Sequence, residues 1–419
     1  MTLRFWPLLV SFILLLPLRS AIGSETTSET RSAAEADEGV AANAGPKWNE
    51  YDGQYFTARG GFGLLLDTAA YDQDSASAQQ MHLNSSAVLR DFRFLLKGKF
   101  KFAPRLSYTL GYMYDGANEV WRFRQTGLMI DVPELNGNFF IGRTKEGFST
   151  NKIMVGYNGW TIERSAANDA FLPILADGIK FTGGAFNGKL VYNVGWFTNA
   201  IARVAQTYVK NDNQTVARAV WLPFAKSDHR NVLHLAIQGR YANAKEGTQQ
   251  YRSKPESFPA QSFAIDTGEF AAENSRMLGV EAYFRPGSWV FGSEYYWNQV
   301  SSAAKSDPFF QGGDVFAAYL LTGEIRPYNE KGAYFEMVKP ERSVFSGGSG
   351  AFELVLRYSY ADLDSGSIEG GRFQRITPMV NWHLSDNVRL ELAYGYSILN
   401  RFDIEGRTQY FQSRLQFQL

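Results

Sequence analysis

The sequence contains no cysteine in 419 residues. A chain without thiols forms no disulfide and offers no thiolate metal ligand or thiol nucleophile, which suits an exported protein that does not depend on oxidative folding. An excess of charge is lacking too, because 42 basic side chains balance 42 acidic ones. This balance gives no indication of binding to nucleic acid or to an anionic membrane surface.

Long apolar segments are also missing from the body of the chain. Beyond the N-terminus no run of eighteen apolar residues occurs, whereas a membrane-spanning helix needs about 20 of them. Helical membrane proteins are therefore excluded as a class. The chain is instead rich in aromatic residues, which make up 15% of it, and in glycine, with 39 residues.

The N-terminus has the three parts of a secretory signal peptide. Arg4 supplies the positive charge, residues 5–18 form an apolar segment of fourteen residues, and Ala21-Ile22-Gly23 supplies the small residues of a cleavage site. As a helix, the apolar segment would extend about 21 Å, too short for a bilayer core of about 30 Å. We therefore expect a cleaved signal peptide over residues 1–23 rather than a membrane anchor.

The following segment, residues 24–46, differs from everything after it. It has no aromatic residue and carries five acidic residues against one arginine. Such a composition cannot bury enough surface to offset the entropy of ordering, so we expect a flexible periplasmic leader. From there to Leu419 the pattern is uniform, and residues 47–419 are expected to form one domain.

That domain consists of segments in which apolar and polar residues alternate, clearest in 106–114, 352–361 and 388–398. A period of two is the pattern of a β-strand, and a half-buried soluble sheet would also produce it. The apolar faces, however, run for five or six positions, close to the roughly nine to eleven residues of a membrane-spanning strand. The opposite faces mix charge with glycine and serine, as a water-filled lumen requires.

Counting these segments indicates the size and the orientation of the barrel. Sixteen segments start near residues 54, 87, 105, 119, 137, 177, 188, 214, 231, 275, 288, 313, 351, 371, 387 and 407. Tight-turn signals such as Asn136-Gly137, Asn187-Gly188 and Pro286-Gly287 alternate with longer connections, as in a barrel with one short-turn rim. An even number of strands places both termini at that rim, which we expect to be periplasmic. Loops should start from the opposite rim at 68–86, 145–176, 199–213 and 245–274.

One connection does not follow this rule. Residues 327–350 belong to the short-turn side by strand parity, yet they number twenty-four. The sequence offers no physical reason for this length.

The order of several short motifs resembles the phosphate-selective porin O and P family. Gly350 to Asp364 is similar to the family's aromatic-Glu-Leu, Arg-Tyr-Ser and Asp-Leu block, and matches extend from about residue 119 to 419. The final strand ends in Leu419 and resembles the sorting signal read by the outer-membrane assembly machinery, whose usual last residue is phenylalanine. Weaker matches lie at 141–148, 162–165, 279–281, 292–295, 321–324 and 381–389.

The resemblance implies an all-β fold, a transmembrane antiparallel β-barrel of about sixteen strands with an inward-folded third loop. It further implies a homotrimer in the outer membrane of a Gram-negative-type cell, surrounded by lipid and lipopolysaccharide. The implied function is a passive porin for small anions or polar solutes, with no cofactor and no nucleic acid partner. Phosphate-specific members are expected to carry channel arginines in the fifth loop, but here loop 245–274 has three basic residues against five acidic ones. Phosphate specificity is therefore not carried over.

Basic side chains expected to face the lumen are the candidate anion-binding residues. Grouped cations on a pore wall attract anions through their summed field. The candidates are Arg93, Lys97, Lys99 and Lys101 on one face of segment 92–102, Arg122 and Arg124 in the next strand but one, and Lys145, Lys152 and Arg164 in the third loop. Two alternatives stay open, since the third loop could lie on the rim and carboxylates elsewhere could neutralise the basic face. Those carboxylates are Glu281, Glu294, Glu353 and Glu391.

A structural or adhesive outer-membrane barrel with a plugged lumen is the alternative to a porin. An enzyme is not expected, because four scattered histidines occur without an HExxH or GxSxG motif.

Overall fold

The computed structural model describes residues 48–116, 119–200, 211–224 and 230–419. The expected signal peptide and leader lie outside these residues, as does most of the expected loop 199–213. The described residues form a closed antiparallel β-barrel. Because Glu50–Asp52 only flanks the first barrel strand and one barrel strand is split in two, the eighteen strands of the sheet make a sixteen-stranded barrel. The expected strand number is confirmed.

The barrel strands follow one another in chain order. They are β1 (Thr57–Gln73), β2 (Ser86–Phe100), β3 (Ala103–Asp115), β4 (Val120–Phe123 with Thr126–Val132), β5 (Gly137–Thr144), β6 (Ala176–Ala185), β7 (Leu190–Thr198), β8 (Asn211–Trp221), β9 (Asn231–Ala244), β10 (Asn274–Pro286), β11 (Trp289–Ser301), β12 (Phe309–Leu320), β13 (Ala351–Ser365), β14 (Ile368–His383), β15 (Val388–Arg401) and β16 (Ile404–Gln418). Strand β1 closes the barrel on β16, in register from Gly63 opposite Gln418 to Gln73 opposite Thr408.

Helical structure is confined to the connections. The α-helices are α1 (Ser75–Gln80), α2 (Thr150–Ile153) and α3 (Ala166–Phe171), and the 3₁₀ turns are Pro133–Leu135, Gly156–Asn158, Phe186–Gly188, Ala303–Lys305 and Val344–Ser346. Short paired strands also occur in connections, Thr248–Gln249 with Phe270–Ala271, Arg252–Ser253 with Ile265–Asp266, and Tyr328–Asn329 with Tyr334–Phe335.

None of the helices in the described residues is long and apolar enough to cross a bilayer.

The tight turns form where the sequence predicts them. Asn136 and Asn187 adopt left-handed backbone conformations, with φ of 47° and 56°, and Gly287 has φ of 63°. Asparagine and glycine tolerate this region better than other residues, which is why these positions reverse the chain.

The two faces of the barrel wall differ as the alternation predicts. The inner face is polar and contains fully buried ion pairs, such as Arg218 with Glu281 at 2.8 Å. The outer face is a continuous apolar surface of the kind that faces lipid. Its exposed side chains include Phe94, Leu96, Leu110, Leu128, Ile141, Ile179, Val194, Leu235, Ile237, Leu278, Val280, Leu354, Leu356, Leu392, Phe411 and Leu415.

Aromatic side chains gather near both rims of this surface. Close to the short turns, Phe352 stacks on Trp382 with ring centroids 5.2 Å apart. Near the opposite rim, Trp121 stacks on Tyr112 at 5.2 Å. Two aromatic belts at the interfaces are typical of outer-membrane barrels.

The long connection on the short-turn side, residues 321–350, packs against inner-face side chains. Arg326 is fully buried and forms an ion pair of 2.6 Å with Glu353 of β13. Tyr328 bonds through its hydroxyl to His234 of β9 at 2.7 Å, and Phe335 is fully buried. These contacts give the length of the connection a physical reason, since a short turn could not reach them.

Candidate functional site

The third loop, residues 145–175, begins at a pair of carboxylates on the inner face. Glu281 of β10 accepts a hydrogen bond from the Thr150 amide at 3.0 Å, and Glu294 of β11 accepts one from the Asn151 amide at 2.8 Å. The two acceptors satisfy amides of the first turn of α2 that have no partner within the helix. Ser149 adds a hydrogen bond of 2.5 Å to Glu294.

The middle of the loop bonds to inner-face side chains of three later strands, β13–β15. Arg389 of β15 donates to the Gly159 carbonyl at 2.8 Å, and Asn381 of β14 donates to the Trp160 carbonyl at 2.9 Å. Arg357 of β13 donates to the Thr161 hydroxyl at 2.7 Å. The loop is therefore held by inner-face side chains of β10, β11 and β13–β15.

Glu163 makes the strongest electrostatic contacts of the loop. Its carboxylate pairs with Arg90 of β2 at 2.9 Å and with Arg414 of β16 at 2.6 Å. Burial alone would raise the pKa of Glu163, but the two guanidiniums outweigh burial and hold the pKa at about 2. The carboxylate is therefore ionised throughout the physiological range and links the loop to two strands.

The loop borders a cavity of about 460 Å³. Its other walls are inner-face residues of β16 and β1–β4 and part of the fifth loop, residues 245–273. Nine basic side chains line it, namely Arg90, Arg93, Arg122, Arg124, Lys152, Arg164, Arg252, Lys254 and Arg414, against five acidic ones, Asp91, Asp115, Glu163, Asp169 and Glu256. The difference is a formal charge of +4 on the cavity wall.

Five of the nine candidate residues line this cavity: Arg93, Arg122, Arg124, Lys152 and Arg164. The structure thus brings strand candidates and loop candidates together at one place. Arg93 and Arg122 each have a neighbouring carboxylate, Asp91 for Arg93 and Asp115 at 3.3 Å for Arg122. Lys152 pairs with Asp169 at 2.7 Å.

The other four candidates do not line the cavity. Lys97 and Lys99 are exposed toward the β2–β3 turn, and Lys101 lies in that turn, paired with Asp52. Lys145 donates to the carbonyls of Ile153, at 3.2 Å, and Met154. Burial lowers the pKa of Lys145 well below its usual range, and the neighbouring Arg164 adds to this. The amino group of Lys145 thus bonds within the third loop and not to the cavity.

The carboxylates considered as neutralising groups are engaged elsewhere. Glu281 pairs with Arg218, Glu353 with Arg326, and Glu391 with Arg389 at 2.9 Å. Glu294 bonds to loop and tyrosine hydroxyls. None of these four lines the cavity.

Sequence reasoning missed four cations of the cavity. Arg90 lies in β2 at a register shift, opposite Leu65 and Leu66 of β1. Because strict alternation of inward and outward residues assumes a constant register, it does not predict that Arg90 faces the lumen. Arg252 and Lys254 belong to the fifth loop, whose net charge is acidic. The acidic residues Asp266 and Glu269 of this loop line a separate cleft at the rim. The net charge of the whole loop therefore does not show that the part lining the cavity carries two basic residues.

Arg414 lies on the inner face of β16, and its long-range partners cannot be inferred from the sequence. It binds Asp67 of β1 at 2.6 Å besides Glu163. No cluster of three or more histidine, aspartate or glutamate side chains suited to a metal ion is found in the part of the chain that the structure describes.

The third loop also contacts the connection 321–350. Arg326 donates to the Asn158 carbonyl at 2.9 Å, and Phe335 packs against Trp160 with ring centroids 5.3 Å apart. The two segments form one buried apolar cluster with inner-face residues of β10–β15.

Comparisons with known proteins agree with this architecture. An uncharacterized protein of Caulobacter vibrioides is 31% identical over 166 residues, covering 39% of this chain and 33% of that protein. Porin O of Pseudomonas aeruginosa is 25% identical over 207 residues, covering 42% of this chain and 46% of that protein. The matches thus span a third to a half of the length of these relatives.

A solved structure shares the fold over most of its length. The anion-selective porin from Comamonas acidovorans matches with a TM-score of 0.53 and 12% identity, covering 87% of this chain and all of that one. The family model of the phosphate-selective porins O and P matches residues 62–419. The chain therefore belongs to the phosphate-selective porin O and P family, a family of outer-membrane β-barrel porins.

Proposed function

We propose that the chain is a passive porin that prefers small anions over small cations. The observation that carries the proposal is the cavity wall with nine basic and five acidic side chains. Charges of one sign in a confined cleft raise the local concentration of the opposite ion. The names of two similar proteins, porin O and an anion-selective porin, support the same function.

The proposal includes an inward-folded third loop that narrows the lumen. Its support is the set of loop contacts with inner-face side chains of strands six positions apart in the barrel, Glu281 on β10 and Arg414 on β16. A loop lying on the rim would not reach both. The narrow passage would then lie between this loop, the fifth loop and β1–β4.

Selection between anions and cations in such a passage depends on the distance between the permeating ion and each charged side chain. Screening at physiological salt weakens charge interactions beyond about 8 Å, so a permeating ion responds mainly to the charges that line the passage. The carboxylates paired on the far side of the third loop would contribute little. Arg124 and Arg164, which line the cavity, would contribute most.

The assembly and the surroundings belong to the same proposal. We infer a homotrimer in contact with lipopolysaccharide, from the family resemblance and from the apolar outer face. The signal peptide over residues 1–23 remains the expected route of export.

A plugged structural barrel is the second candidate. It is favoured by one observation, the apolar cluster that joins the third loop to the connection 321–350. Recording from purified protein in planar bilayers separates the two candidates. Stable stepwise conductance supports the porin, and electrically silent insertion supports the plugged barrel.

A further inference from the structure

The cationic cavity has an apolar side as well as a charged one. Leu65 and Met113 line it from the strands, Met154 and Leu172 from the third loop, and Phe258 from the fifth loop. A passage for compact, strongly hydrated anions has no use for such surface. Apolar lining stabilises a solute only if the solute has an apolar part to remove from water.

Most cations of the cavity already bind carboxylates. Arg90 pairs with Glu163, Arg93 with Asp91, and Arg414 with Asp67. A multiply charged anion such as phosphate needs several donors to replace its hydration shell. Here it would compete with carboxylates that hold those donors.

Four cations of the cavity wall have no carboxylate partner among residues 48–116, 119–200, 211–224 and 230–419: Arg124, Arg164, Arg252 and Lys254. Arg164 donates instead to the Asn151 carbonyl of its own loop at 2.7 Å. Two of the four cations lie over aromatic rings. The guanidinium of Arg252 is 4.3 Å from the ring centroid of Phe263, and the ammonium of Lys254 is 5.2 Å from that of Phe258. The fifth loop thus contains two pairs in which a cation lies next to an aromatic ring, Arg252 with Phe263 and Lys254 with Phe258.

We infer that the cavity selects organic anions in which a carboxylate is attached to an apolar, preferably aromatic, body. The carboxylate pairs with Arg124, Arg252 or Lys254, and the body contacts Phe258, Phe263 and the neighbouring aliphatic side chains. A single negative charge suits this site, because the other cations of the wall pair with carboxylates or, in the case of Arg164, donate to backbone carbonyls. This inference rests on the proposed anion-preferring channel and names its class of solute.

The test compares benzoate with inorganic phosphate as blockers of the chloride current through the purified full-length protein in planar bilayers at pH 7. We expect benzoate to halve the current at a lower concentration than phosphate does. Half-block by phosphate at an equal or lower concentration overturns the inference. Because the reversal potential in potassium chloride is read from the same membrane, a channel that still favours chloride keeps the proposed function intact.

Variants locate the site of block. Phe258→Ala should raise the half-blocking benzoate concentration by about fivefold, the scale of one lost aromatic contact, and should leave the phosphate value unchanged. Phe258→Leu, which keeps most of the volume, should shift the benzoate value in the same direction. Phe345→Ala, in an exposed position on the connection 321–350, is the matched control and should shift neither value. Equal benzoate block in both Phe258 variants and in the unaltered protein overturns the inference.

Discussion

Arg414 on the last strand and Glu163 in the third loop form an ion pair of 2.6 Å between Nη2 and Oε1, although 251 positions separate them in sequence. Because Arg90 of β2 binds the same carboxylate, one glutamate links the loop to strands on both sides of the barrel closure. This contact fixes one wall of the cationic cavity, and the stability of the passage should depend on it.

Replacing this carboxylate should loosen the loop. In Glu163→Gln, the buried guanidinium of Arg414 and the partly buried one of Arg90 lose their common partner, and breaking a buried pair costs about 3–5 kcal/mol. We expect a lower midpoint of thermal unfolding and larger open-channel current noise. Glu134→Gln is the control, because Glu134 pairs with Arg105 at an exposed turn, where an ion pair contributes little to stability. Equal effects in the two variants would contradict this role of Glu163.

The same contact predicts the response to acid. The pKa of Glu163 is held at about 2, below its ordinary value of 4.5. A depressed pKa means that the contribution to stability is complete above the ordinary value and is lost as the pH falls toward 2. Current noise that originates in this loop should therefore be the same at pH 7 and pH 4. A loop that loosens at pH 4 would show that Glu163 is protonated there and is less tightly paired.

Charge selectivity should depend on the position of a cation and not only on its presence. Arg124→Gln removes a cation from the cavity wall, whereas Lys99→Gln removes one near the β2–β3 turn. The reversal potential in a potassium chloride gradient should shift toward zero more in the first variant, since distant charges are screened. A larger shift for Lys99→Gln would place the selective region at the short-turn rim.

The connection 321–350 allows a matched pair of aromatic truncations. Phe335 is fully buried against Trp160, whereas Phe345 in the same connection is 70% exposed. Phe335→Ala should lower the free energy of unfolding by about 3–5 kcal/mol, and Phe345→Ala by less than about 0.5 kcal/mol. Chemical denaturation of the barrel in detergent measures both. Similar losses in the two variants would show that the connection is not packed inside.

The orientation of the barrel can be tested with introduced cysteines, because the chain has none of its own. Glu269→Cys in the fifth loop should react with an impermeant maleimide on intact cells. Asp386→Cys, in the β14–β15 turn, should react only after the outer membrane is permeabilised. The reverse pattern would invert the predicted orientation.

The sequence predicts the barrel well because its signals are local. Alternation sets the face of each strand, and Asn136-Gly137 and Asn187-Gly188 mark turns that need a left-handed residue. Strand starts agree with the structure to within a few residues for the same reason. The outward faces of segments such as 352–361 are confirmed by their exposure.

The cavity is predicted only in part, because it depends on contacts between distant segments. Arg93 and Arg124 could be proposed from strand alternation, whereas Arg90 depends on a register shift. Lys145 looked equivalent to Lys152 in sequence, yet the fold of the loop turns its ammonium to backbone carbonyls. The net charge of the fifth loop does not indicate the charge of its cavity-lining part, because Arg252 and Glu269 line different clefts.

We propose that the passage favours anions because cations predominate on the wall of one cavity. The most direct measurement is the reversal potential of the unaltered protein in a planar bilayer under a potassium chloride gradient. We expect a potential of the sign that corresponds to chloride permeating faster than potassium, with a bias that shrinks as total salt rises. A reversal potential at zero, or of the sign for faster potassium, would contradict it.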